Sequence, residues 1–156
     1  MYRTGMFGLA ALGIFGGILI FAIGVVAYIL AAIGLSKLGE KQNVPNAWLA
    51  WIPIAQLYVI GALIKEVKLG TLTIPRMEIV LPLGAVAIGI LTFIPVLGQL
   101  IALCYYALCI YSLYMLYKLY VPNEAVLYTI LSALGLFSIF IFIIRDKDQV
   151  AQVIQE

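Results

Sequence analysis

The chain has 156 residues, 65% of them hydrophobic and 10% charged, with a mean hydropathy of +1.17. That composition lies outside the range of soluble globular domains and points to one membrane domain covering residues 1–156. Nine Lys plus Arg against seven Asp plus Glu leave a net charge of +2, and the basic residues are scattered rather than striped, which excludes nucleic acid as a partner class.

Because a bilayer core of roughly 30 Å needs about 20 apolar residues in a helix, the uncharged stretches convert into crossings. The first runs over 7–35, after Arg3; it is too long for the apolar part of a signal peptide and reads as a retained span that crosses once. The second, 47–64, is just long enough, with Pro53 near its start as a potential break. Between spans two and three, Lys65 to Glu78 mixes charged and apolar residues and reads as an interfacial connector. No charge occurs from Ile79 to Tyr117, a stretch nearly twice as long as the core is thick, so the chain must turn there. Pro95 and Gly98 supply the turn and divide the stretch into spans 77–94 and 98–118. A fifth span, 124–144, stops at Arg145-Asp146-Lys147-Asp148, and Val150, Val153 and Ile154 beyond it are spaced for a short amphipathic surface helix.

The expected fold class is therefore all-α, a polytopic transmembrane helix bundle of about five spans, with four as the alternative if the turn at Pro95 does not cross. Basic residues divide five to four between the two sides for five spans, too even for the positive-inside rule to set the orientation, although Arg145 and Lys147 after the last span favour a cytoplasmic C-terminus. For four spans they divide six to three, the bias that best supports that alternative. Residues 41–46 read KQNVPN and residues 118–123 read KLYVPN, each between apolar runs. Either the chain contains an internal repeat, or two helix-start signals have converged. With five spans the repeat would be inverted, an architecture of transporters; with four it would be parallel.

Four groups of residues stand out. Gly13, Gly17, Gly24 and Ala31 share one face of the first span, a smooth stripe suited to close helix packing. Gln56 and Gln99 are carboxamides within apolar runs and must find hydrogen-bond partners there, through an interhelical contact or a transported solute. Trp48 and Trp51, and Tyr114 and Tyr117 beside Lys118, carry amphipathic rings suited to the membrane interface. Glu40, Glu66, Glu78 and Glu124 fall at span boundaries, as solvated charges at helix ends do.

Candidate chemistry is sparse. Histidine is absent, which removes the commonest general base and metal ligand together. Cys104 and Cys109 lie roughly 140° apart on a helix, no metal or redox spacing. Neither a nucleophile elbow nor a phosphate loop is present. The expectation is a non-enzymatic protein with no catalytic, metal or cofactor site.

The segment Asn46 to Tyr58, with Trp48, Ile52-Pro53 and Gln56-Leu57-Tyr58, resembles a pattern of small bacterial multi-pass membrane proteins without assigned function. The run from Leu116 through Val121-Pro122-Asn123 to Tyr128 is similar to the C-terminal part of some of them. Gln56 stands where the pattern more often has Asn. The resemblance implies a multi-pass protein of the bacterial cytoplasmic membrane and carries no activity. Its expected partners are the lipid bilayer and another membrane protein or a second copy, with the chain serving as an accessory or assembly subunit. The rival expectation is a transporter or channel for a small solute or lipid.

Overall fold

The structure is a computed structural model that describes the backbone of residues 2–69, 72–94 and 96–150. It is a helical bundle in which three stretches, Leu12–Lys41, Leu97–Tyr120 and Ala125–Ile144, are long and apolar enough to cross a membrane. The expected surface helix at Val150, Val153 and Ile154 falls largely outside the described residues, as does Pro95.

Helix α1 spans Tyr2–Lys41 without a break. At about 1.5 Å per residue it is about 60 Å long, well over the thickness of a bilayer core. Among the residues whose side chains are described, the packed part is the C-terminal third: Ala31, Ala32, Leu35 and Leu38 are fully buried, whereas Leu12, Phe15, Ile20 and Phe21 are exposed.

The expected second span is not one helix. Ala47–Trp51 forms a 3-10 turn and a half, and α2 runs only from Gln56 to Ile64. The reason is local: the ring of Pro53 pushes the preceding residue out of the helical region, and Ile52 sits at φ −108, ψ 123. The chain then reverses. Ala47 and Val59 both lie against Gly39 of α1, and the Tyr58 hydroxyl donates to the Pro45 carbonyl at 3.2 Å. In a straight helix, twelve residues would separate Ala47 from Val59 by about 18 Å.

Strands β1 (Val67–Leu69) and β2 (Leu72–Ile74) pair antiparallel, with Val67 opposite Ile74, and form the connector. Helix α3 spans Met77–Leu91, and a turn through Thr92 leads into α4, Leu97–Tyr120. α4 covers the expected fourth span, whereas α3, with 15 residues, stops short of the expected 77–94 and is shorter than a full crossing requires. Gly98 sits against the Leu91 carbonyl, so the helices meet tightly at the turn.

The expected fifth span also folds back. It divides into α5 (Ala125–Leu131), a wide turn over Ser132–Leu136, and α6 (Phe137–Ile144). Gly135 holds φ 97, ψ 3 at the break, a conformation that glycine adopts without the usual steric cost. Tyr128 and Phe140, twelve residues apart, have ring centroids only 4.5 Å apart.

Two hairpins thus follow two long helices. α6 packs chiefly on α1, and α2 chiefly on α3, with smaller contacts to α1 and α4. The C-terminal ends of the long helices lie at one end of the bundle, where Lys37 and Lys41 bond Asp146 and Tyr120 accepts from Gln149. Leu35, Leu38, Val59, Leu81, Leu116, Tyr117, Ile141 and Ile144 form the core that joins all these elements.

Candidate packing surface and intramembrane polar groups

The small-residue stripe divides along α1. Ala31 is buried within the bundle, while a Cβ built on Gly13, Gly17 or Gly24 meets nothing within 4 Å. The glycines that bring helices together inside the chain are others. A Cβ on Gly34 would lie 2.8 Å from Ile141 Cγ2, one on Gly39 would lie 2.9 Å from Ala47 Cβ, and one on Gly61 would strike the Met77 carbonyl. Spacing along the sequence does not single these out, because each is defined by the partner it meets.

The two carboxamides part company. Gln56, the first residue of α2, is buried, and its Nε2 has no hydrogen-bond partner among the described residues. Gln99, in the first turn of α4, is exposed. Gln56 is the group that bears an unmet polar demand in an apolar environment.

Trp48 and Trp51 are both exposed, and Trp51 lies at the tip of the first hairpin rather than at the end of the bundle that carries Lys37 and Lys41. Tyr114 is half-buried, with the Lys118 ammonium 6.0 Å from its ring centre. Tyr117 is different: it is fully buried, its ring meets Tyr128 edge-on at 5.7 Å, and its hydroxyl lies 2.7 Å from Ser132 Oγ. It tethers the second hairpin to α4 from within rather than anchoring a surface.

Tyrosines satisfy carbonyls at both hairpin tips, a role their sequence spacing did not suggest. Tyr28 of α1 donates to the Trp51 carbonyl and Tyr106 of α4 donates to the Ala133 carbonyl. In each case a tyrosine of a long helix donates to backbone where the hairpin reverses.

A cavity of about 180 Å³ lies between α2, α3, α4 and α6, lined by Leu57, Ile60, Leu81, Cys109, Ser112, Leu113 and Phe137. Ser112 Oγ is already committed to the Leu108 carbonyl at 2.8 Å, so the lining is apolar in effect and suits a hydrocarbon group rather than an ion. No three His, Cys, Asp or Glu residues come together to hold a metal among the described residues. The arrangement is a helical bundle with three apolar stretches long enough to cross a membrane. Compared with known protein families, curated proteins and solved structures, the chain matches none.

Proposed function

We propose that the chain is a non-enzymatic protein of a bacterial cytoplasmic membrane that works by packing against other membrane helices, as an accessory or assembly subunit. The observation that carries this reading is the division of the α1 stripe. Where α1 is covered, Ala31 is buried and Gly34 admits Ile141 of α6 to close contact; where it is uncovered, Gly13, Gly17 and Gly24 continue a smooth surface with nothing within 4 Å of an added Cβ. In lipid, association depends on van der Waals contact and close approach, so a bulky residue on that surface acts directly on binding.

Native mass spectrometry of the protein extracted from its own membrane in a mild detergent tests the reading. Wild type is expected to carry a second polypeptide or a second copy, and Gly17→Leu to release it while the protein itself stays folded. A bare wild-type monomer, or an assembly indifferent to Gly17→Leu, refutes it.

Gln56 supports a second reading, transport of a small solute or lipid, because its buried Nε2 is available to a passing polar group. On this reading Gln56→Leu abolishes a flux and leaves the assembly intact. We also read the two VPN segments as an internal repeat. Each follows a long helix, precedes a hairpin, and has that hairpin's tip bonded by a tyrosine of the helix before it. The two units run in the same direction, so the repeat lends no support to an inverted-repeat transporter.

A further inference from the structure

We propose that the chain crosses the bilayer three times, by α1, α3 and α4, and that residues 47–64 and 125–144 are re-entrant hairpins. Both hairpins enter and leave on one side, so that the charged end of the bundle forms a single surface at the cytoplasmic leaflet.

The first argument is length. α2, α5 and α6 have nine, seven and eight residues, or about 10–14 Å each at 1.5 Å per residue, less than half of a core of roughly 30 Å. None of these arms can cross, and the contacts of Gly39 with Ala47 and Val59, and of Tyr128 with Phe140, place the two arms of each hairpin side by side. Non-helical backbone is tolerated at depth only where protein or water satisfies it. Here the Trp51 and Ala133 carbonyls accept from Tyr28 and Tyr106. α3, with 15 residues, is short for a crossing, and local thinning of the bilayer together with the long side chain of Arg76 at its start accommodates the difference.

The second argument is charge. With both hairpins re-entrant, Lys37, Lys41, Lys65, Lys68, Arg76, Lys118, Arg145 and Lys147 all fall on one side, and of the nine basic residues only Arg3, in the first turn of α1, falls on the other. Eight against one is a strong positive-inside bias, whereas five or four full crossings split the same residues nearly evenly or two to one. Contacts between distant parts of the chain hold this end together: Lys37 with Asp146, Lys41 with Asp148, and Tyr120 with Gln149. The shape and the charge distribution are independent observations, and they select the same arrangement.

Lysine accessibility in the unmodified protein tests the proposal. Intact cells and inside-out vesicles are treated with a membrane-impermeant amine-reactive reagent, and modification of Lys41, Lys65, Lys118 and Lys147, all exposed, is read by peptide mass spectrometry. All four are expected to react in inside-out vesicles and to be protected in intact cells. Five crossings would place Lys41 and Lys147 on one side with Lys65 and Lys118 on the other; four would pair Lys41 with Lys118 against Lys65 with Lys147. Either pattern overturns the re-entrant hairpins, and reaction of all four in intact cells overturns the orientation. As a second measurement, single cysteines at Asn43, Thr73 and Asn123 in a Cys104→Ser, Cys109→Ser background should label from the same side as the lysines, and a cysteine at Thr4 from the opposite side. A split among the first three overturns the proposal.

Discussion

Gly135 is where the last apolar segment turns back, and replacing it with alanine separates the energy of the turn from the energy of packing. The residue holds φ 97, ψ 3, and a Cβ added there meets nothing within 4 Å, so Gly135→Ala introduces no clash and acts through the backbone alone. A left-handed conformation costs a residue with a Cβ about 1–2 kcal/mol, and alanine is favoured over glycine by about 1 kcal/mol in a continuous helix. The hairpin therefore loses about 2–3 kcal/mol against a straight 20-residue helix over Ala125–Ile144, which shifts their ratio by roughly 30- to 150-fold. The straight form sacrifices the Tyr128–Phe140 contact and the Tyr117–Ser132 hydrogen bond, so wild-type packing opposes it. Thermal unfolding of the purified protein in detergent should show Gly135→Ala clearly destabilised and Gly135→Asn less so, because asparagine tolerates left-handed backbone better than alanine. If Gly135→Ala melts with the wild type, the turn does not depend on left-handed backbone at this position, and the account of the break fails.

Further outcomes follow from other contacts. Gly61→Ala drives a methyl into the Met77 carbonyl, where backbone must move, and should destabilise the protein by about 1–3 kcal/mol in a denaturation series; an unchanged midpoint would mean that α2 and α3 are not in contact there. Tyr117→Phe leaves Ser132 Oγ without its buried partner and should cost about 1–3 kcal/mol, with Ser132→Ala in the same background adding little in a double-mutant cycle. The Lys37 ammonium, and after it the Arg145 guanidinium, hold the Asp146 carboxyl below the usual carboxylate range. A lowered folded-state value means that the contribution is present above the ordinary carboxylate range and disappears as pH falls through the lowered value. Asp146→Asn should therefore melt below wild type at pH 7, by a small margin because the pair is exposed, and the difference should close in acid; a constant difference across pH would exclude the ion pair as its source.

Much of the helical layout was legible in the residues. The uncharged stretch from Ile79 to Tyr117 required a reversal, and α3 and α4 end and begin within a few residues of where Leu91 to Gly98 suggested. The continuous apolar run after Arg3 became α1. For 47–64 and 124–144 the same reasoning fell short, because an apolar run reports its affinity for hydrocarbon and not the direction of its path. Pro53 was visible as a potential break, but nothing local distinguished Gly135 from the many glycines that stay helical. The candidate site divided in the same way. Gln56 was identifiable as a costly polar group, whereas its burial and the exposure of Gln99 depend on what packs over each. Gly34, Gly39 and Gly61 are essential only because Ile141, Ala47 and Met77 arrive against them. The affinity of these stretches for hydrocarbon was thus determined residue by residue, since transfer from water to hydrocarbon is a property of each side chain. Which apolar stretches run straight and which fold back was decided by contacts between residues far apart in the chain, whose energies exist only once the helices have met.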